Sequence, residues 1–329
     1  MFFDSYQRLA AATAALTLLL IVLGAWVRLT DAGLGCPDWP GCYGQMTWPA
    51  SAEAIASAAE QWPEAQVDPA RASREMIHRY VAPLVALGSL ALAAWAWRRR
   101  RRDPASPVWL ATALLPLLAA QIVLGMLTVT WLVKPAVVTL HLAGGLATWG
   151  LLLLIVLANG RRTRWPVTAR TRHWLWWALL AVGAQILLGG WTSTNYAALA
   201  CPDFPTCQQS FWPPMDFHQA FVLWRGLGVD YQGGVLDPAA RTAIHVSHRL
   251  GALIVLLVSA AAAWRLIRKE RLRAAGAVLL ALVGGQIVLG ILNVAWVLPL
   301  ATAVAHTAGA ALLLGWLTLC LYRTRPAAP

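Results

Sequence analysis

Charge is what this sequence has least of. Only 12% of its 329 residues are Asp, Glu, Lys or Arg, while 59% are hydrophobic; a soluble domain carries about twice that charged fraction. The alternation of apolar and polar residues that builds a membrane β-barrel is missing. So is a tight cluster of three or four Cys and His residues that would hold zinc. No basic patch interleaved with aromatics, as nucleic-acid readers carry, is present. The formal net charge of +12 therefore needs another explanation.

What the chain does have is apolar sequence in long blocks. A bilayer-spanning helix needs about 20 mostly apolar residues, and eight segments qualify, near 9–29, 76–97, 107–131, 136–158, 173–193, 243–264, 274–297 and 300–322. Backbone groups in lipid must be satisfied within their own segment, so each block predicts a helix. The expected fold class is an all-α integral membrane protein with eight transmembrane helices. The first block is too long for the core of a signal peptide and no small-residue cleavage site follows it, so it reads as a retained helix.

The basic residues explain the net charge. Arg98 to Arg102, Arg161, Arg162, Arg164, Arg170, Arg172, Arg265, Arg268, Lys269, Arg271 and Arg273, with Arg8, Arg323 and Arg325, place 18 of 26 on one face. That face is expected to be cytoplasmic, with both termini on it. Eleven of the 14 acidic residues fall on or at the boundary of the other side. The excess is then a topology signal and a contact for lipid headgroups, with no nucleic acid as partner.

The two halves repeat. The stretch from Gly24 to Cys42 aligns with Gly189 to Cys207, Gln121-Ile-Val-Leu-Gly125 with Gln286-Ile-Val-Leu-Gly290, and His141 with His306, all at an offset of 165. Each half holds four predicted helices, so both enter the membrane in the same sense, as a parallel repeat about a pseudo-twofold axis along the membrane normal. Residues 1–159 form the first half, 160–172 a cytoplasmic linker and 173–329 the second half. Each half should be a four-helix bundle with its site among facing helices. Two long loops, near 30–75 and 194–242, lie on the outer side. Each opens with a cysteine pair and contains a helical stretch, 53–65 in one and 216–228 in the other.

Ionisable residues inside a membrane are costly and mark function by default. His78 begins the second predicted helix and His141 lies near the start of the fourth; His248 and His306 occupy the matching places in the second half. Each half thus offers two imidazoles at one depth on different helices, a geometry that suits a planar macrocycle held edge-on with a ligand on either face. The bland alternative is four packed histidines bonded to carbonyls. Around them the halves differ: Glu75-Met-Ile-His78-Arg79 in the first, His245-Val-Ser-His248-Arg249 in the second. Residues three apart share a helix face, so Glu75 and His78 should point to one site. A buried carboxylate can stabilise positive charge, relay protons or act as a nucleophile. The asymmetry points to chemistry in the N-terminal half and a permanent haem in the C-terminal half. Arg79 and Arg249 suit haem propionates, as bidentate partners of carboxylates; interfacial anchoring is their other reading. His245, His173 and His218 receive no role.

Cys36 and Cys42, like Cys201 and Cys207, have five residues between them. Both pairs lie outside the membrane, where disulfides form, and either shaping the loop or exchanging electrons with partner thiols would account for them. Cys320 reads as a plain apolar residue.

These features together resemble the haem A synthase family: the run from Gly24 to Cys42, the Glu75-x-x-His78-Arg79 motif, the four helix-borne histidines and the duplicated plan. The resemblance spans essentially the whole chain, and the cysteine pairs resemble the bacterial class. It implies an enzyme of the bacterial plasma membrane that oxidises the C8 methyl of haem O to a formyl group through hydroxylated intermediates, giving haem A for cytochrome oxidase. It implies haem O between His78 and His141 with Glu75 near the reacting methyl, and haem b between His248 and His306. It also implies redox exchange at Cys36 and Cys42. An electron donor and a haem O synthase would be its partners. A two-haem electron-transfer cytochrome and a haem carrier without catalysis are the competing readings. A transporter is a third, but it would place its polar sites nearer the bilayer midplane.

Overall fold

A computed structural model describes residues 4–102, 108–160 and 163–325; Arg161 and Arg162, counted above toward the cytoplasmic face, lie outside it. Ten α-helices and one 3-10 turn make up the described chain: α1 (Ser5–Leu29), α2 (Ala52–Gln61), α3 (Pro69–Arg100), α4 (Trp109–Thr130), α5 (Pro135–Asn159), α6 (Ala169–Thr194), α7 (Phe217–Ala220), α8 (Pro238–Ile267), the turn Glu270–Leu272, α9 (Arg273–Ala295) and α10 (Leu300–Arg323). All except α2 and α7 are long and apolar enough to cross a membrane, and these are the eight expected spans. Their outward faces remain apolar, with Leu87 62% and Leu257 61% exposed, as lipid contact requires.

Two spans start earlier than hydropathy predicts. Helix α3 begins at Pro69, where the Asp68 carboxylate accepts from the Ala70 and Arg71 amides and proline occupies the first turn; α8 begins at Pro238, a first-turn proline after Asp237, whose side chain makes no capping hydrogen bond. A cap or a first-turn proline starts a helix whatever the polarity that follows. His78 therefore lies nine residues into α3 and His248 ten into α8, not at their starts. The loop helices are shorter than expected. Helix α2 ends at Gln61. Helix α7 is a single turn, because the chain beyond it runs through Gly226 and a left-handed Gly228 (φ 78°).

The helix pairings repeat between halves. In the first, α1 packs on α3 and α5, α3 on α4, and α4 on α5; in the second, α6 packs on α8 and α10, α8 on α9, and α9 on α10. The halves meet where α1 touches α10, α5 touches α6 and α5 touches α10. Each half has one large apolar core. Tyr6, Leu92, Leu114 and Leu152 anchor the first, and Leu175, Leu266, Leu279 and Leu317 the second. Both of these cores are centred on the part of the bundle away from the four histidines, and smaller clusters around Met76 and Ile244 pack the histidine end under the loops.

At the histidine end the halves touch through residues 165 apart. Arg28 Nη2 donates to the Ser193 carbonyl at 2.5 Å, and the Tyr196 hydroxyl donates to Asp31 Oδ1 at 2.6 Å. Arg28 also pairs with Asp31 at 3.2 Å and lies over the Tyr196 ring, 4.3 Å from its centre.

Candidate functional site

Each histidine lies against a glycine of a neighbouring helix. A Cβ at Gly24 in α1 would sit 3.1 Å from His78 Cε1, and one at Gly125 in α4 would sit 3.4 Å from His141. In the second half the corresponding pairs are Gly189 of α6 with His248 at 3.2 Å, and Gly290 of α9 with His306 at 3.6 Å. The missing side chains let the helices close on the rings. All four rings remain only partly covered by protein.

The His248 and His306 ring centres are 6.5 Å apart, with planes at 75°. Two metal–imidazole bonds of about 2 Å, with about 1 Å from each nitrogen to its ring centre, span about 6 Å. One iron between these rings therefore fits. His78 and His141 lie within electrostatic range of one another, and both carry a buried Nδ1 without a hydrogen-bond partner. Paired imidazoles from two helices are the donor set of a haem iron, and the residues present fit that group.

Above the N-terminal pair, the first loop folds onto α3. Gly35 approaches so closely that a Cβ there would fall 2.6 Å from the Arg71 carbonyl carbon, so only glycine allows the contact. The loop is closed by the Cys36–Cys42 disulfide, and the Asp38 carboxylate accepts from the Tyr43 amide at 2.7 Å and the Gly44 amide at 3.0 Å. Glu75 is 5% exposed. Its Oε2 accepts from the Cys36 amide at 2.9 Å and its Oε1 from Arg79 Nη2 at 2.5 Å. Arg79 Nη1 also donates to the carbonyls of Asp38 (2.9 Å) and Pro40 (3.3 Å), and to that of Gly41. Burial, with the carboxylates of Asp68, Glu75 and Asp38, holds the Tyr43 hydroxyl above the usual phenol range.

The second loop is built the same way. Cys201 and Cys207 are bonded, and Asp203 accepts from the Gln208 and Gln209 amides at 2.6 and 3.0 Å. Arg249 donates to the carbonyls of Thr206 (2.7 Å), Asp203 (2.8 Å) and Cys201 (3.1 Å). His245, 5% exposed, occupies the place of Glu75. Its Nδ1 is 3.0 Å from the Ala197 carbonyl oxygen and 3.4 Å from the Cys201 amide nitrogen. The sequence left this histidine without a role; its position under the loop follows from the matched spacing to His248. Both Arg79 and Arg249, expected beside propionates, turn their guanidinium groups to loop carbonyls. His173 lies near the start of α6 and His218 in α7. Cys320 is a buried free thiol.

Three glutamines escaped the sequence reading. Gln185 Nε2 lies 2.8 Å from the His248 carbonyl oxygen and 3.0 Å from its Nδ1. With its amide turned to satisfy its neighbours, Gln286 places Nε2 3.0 Å from the His306 carbonyl and 3.3 Å from its Nδ1. Gln121 presses its amide into the space over Gly144, one turn beyond His141.

Known proteins share this arrangement of sequence. The model of the COX15-CtaA family, described as cytochrome oxidase assembly protein, matches residues 7–318. The chain is similar to the haem A synthase of Shewanella oneidensis, with 41% identity over 92% of this chain and 91% of that protein. It is 26% identical to the haem A synthase of Geobacillus kaustophilus, covering 98% of this chain and 93% of that one. For the haem A synthase of Caulobacter vibrioides the identity is 28%, over 95% and 94% of the two chains. A match across nearly the whole length, on a chain with eight membrane-length helices and two loop disulfides, places it plainly: the chain belongs to the COX15-CtaA family of cytochrome oxidase assembly proteins.

Proposed function

We propose that this chain is a haem A synthase that oxidises the C8 methyl of haem O to a formyl group, through hydroxylated intermediates, in its N-terminal half. The observation that carries the reading is the exchange of Glu75 for His245 beneath otherwise matching disulfide loops. Two halves doing the same work would have no reason to differ there. Haem O would lie between His78 and His141 as substrate, and haem b between His248 and His306 as a resident group that supplies one-electron transfer when bound.

The chain's own residues do the rest. His78 and His141 orient the substrate, and a fixed orientation lowers the barrier by removing the search for alignment. The Glu75 carboxylate, shielded from bulk water by the loop, is placed to take up protons or to stabilise positive charge as the methyl is oxidised. Arg79 holds that carboxylate and the loop together.

We also infer that the halves are related by a pseudo-twofold axis along the membrane normal, because the helix pairings repeat and residues 165 apart touch. The basic residues put both termini in the cytoplasm and the disulfide loops outside a bacterial plasma membrane. An electron donor and a haem O synthase are the expected partners. The near-equivalence of the two histidine pairs favours one other reading, a two-haem electron-transfer cytochrome.

Haem extraction and chromatography of protein purified from cells that make haem O distinguish the two. Haem A or a hydroxylated intermediate beside haem b supports the synthase. Haem b alone, with supplied haem O unconverted, leaves the cytochrome.

A further inference from the structure

The glutamines belong to a pattern finer than the two-half repeat. Gln-Ile-Val-Leu-Gly at 121–125 and 286–290 recurs as Gln-Ile-Leu-Leu-Gly at 185–189, and a fourth copy, Leu-Ile-Val-Leu-Gly, stands at 20–24. Its first and last positions are four apart and share one helix face. The glycine of every copy receives a histidine ring. In three copies the glutamine amide lies in the space that a Cβ would fill three residues beyond that histidine, at Gly144, Gly251 and Gly309. The fourth copy departs at both places: Leu20 stands where the others have glutamine, and Val81 where they have glycine. A glutamine at position 20 would meet the Val81 side chain, so the two departures belong together. The histidine beside that copy is His78, whose Nδ1 is buried without a partner; His141 Nδ1 and Gln121 Nε2 are likewise unpartnered, so the glutamine–imidazole contact is absent from both histidines of the N-terminal half.

Metal-bound histidines ordinarily carry a partner on the second ring nitrogen, which fixes the ring and raises its basicity. Gln185 and Gln286 touch Nδ1 of their histidines, leaving Nε2 for a ligand. Ligation through Nε2 puts the ring proton on Nδ1. Turned over, the Gln185 amide would accept that proton through Oε1, which is now buried and unpartnered, in exchange for its present bond to the His248 carbonyl.

We propose that Gln185 and Gln286 are positioning residues that hold His248 and His306 as axial haem ligands, and that His78, with Leu20 and Val81 in place of the glutamine and the glycine, is the ligand that swings away when haem enters or leaves the N-terminal half. The C-terminal pair is thereby held on both sides and keeps its haem, while the N-terminal pair lacks that contact and exchanges. This rests on reading the histidine pairs as haem ligands.

The test uses full-length protein in detergent. Low-spin ferric haem in the wild type, seen by electron paramagnetic resonance, establishes the ligand pairs; its absence sinks that underlying reading. Given the signal, Gln185→Leu should raise the midpoint potential of the C-terminal haem and speed its transfer to apomyoglobin about tenfold. Gln185→Glu, which keeps the shape and strengthens the acceptor, should lower the potential. A merely structural glutamine would not move the two variants in opposite directions. Leu20→Gln combined with Val81→Gly should slow release of the N-terminal haem about tenfold, followed separately because its haem type elutes apart from haem b. Potentials and release rates equal to wild type in all these variants overturn the proposal.

Discussion

The Glu75 carboxylate accepts the backbone N–H of Cys36 at 2.9 Å, which ties the residue expected to do chemistry to one arm of a disulfide. The bond joins a membrane-length helix to the loop that precedes it through a group that is 5% exposed. Anything that moves the loop therefore moves the carboxylate.

Replacing Glu75 should separate binding from conversion. Glu75→Ala is expected to keep haem b and bound haem O while conversion to haem A falls about a hundredfold or more, the scale of losing a positioned acid–base group. Glu75→Gln can still accept from Cys36 but loses the charge opposite Arg79, and its conversion should fall nearly as far. Haem chromatography after a fixed expression time reads both. Full conversion by either variant would leave the carboxylate without a catalytic role.

The two disulfides should differ in consequence. Cys36→Ser with Cys42→Ser frees the segment that donates to Glu75, so conversion should drop about tenfold, the usual effect of losing a supporting hydrogen bond. Cys201→Ser with Cys207→Ser loosens a loop that sits over His245 and should leave the conversion rate near wild type while lowering thermal stability. Equal losses of conversion from both pairs would mean that the loops only shape the fold.

Across the junction of the halves, Tyr196→Phe deletes the hydroxyl that donates to Asp31 at 2.6 Å. A hydrogen bond to a charged acceptor contributes about 2 kcal/mol, and the thermal midpoint in detergent should fall accordingly, with haem ligation unchanged. Asp31→Asn keeps a neutral acceptor for the hydroxyl but removes the charge paired with Arg28, so it too should lower the midpoint. An unmoved midpoint in Tyr196→Phe would show the pair to be water-replaceable.

The second loop should sense acid. The Thr206 hydroxyl, followed by the Gln209 and Gln208 amides, holds the Asp203 carboxyl below its ordinary value of 3.8. A carboxylate whose value is lowered by folding stabilises the folded loop fully above the ordinary value, and that contribution disappears as pH falls through the lowered one. Amide protection at 208–209 should therefore persist down to the usual aspartate range and be lost below it, and Asp203→Asn should abolish the transition. Hydrogen exchange between pH 5 and pH 2 follows it directly. Protection independent of pH would assign the turn to its backbone alone.

Much of this was legible in the residues. Eight spans and two cysteine pairs follow from run length and spacing, and the duplication from an offset of 165. The early starts of α3 and α8 were not, because hydropathy ignores residues such as Arg71, Arg74 and Arg241 that an Asp-Pro start nevertheless carries into a helix. The bonds of Arg79 and Arg249 to loop carbonyls are not written in the sequence, since they depend on how each loop folds back over its helix. Gln121 and Gln286 stood in the repeat, but a polar residue in an apolar run takes on meaning only when the facing glycine is known.

The contact of Arg28 with Ser193, and of Asp31 with Tyr196, has a consequence for assembly. Positions that match in a duplicated chain and touch each other are where a symmetrical ancestor would have met its own image: arginine facing arginine, aspartate facing aspartate. Here each meeting place is complementary, guanidinium to carbonyl and hydroxyl to carboxylate. An N-terminal half meeting its own copy through this surface would bring like charges together, and a C-terminal half would set serine against serine and tyrosine against tyrosine, losing both bonds. Cut into two polypeptides, the protein should favour the mixed pair, a heterodimer that happens to be encoded in one chain.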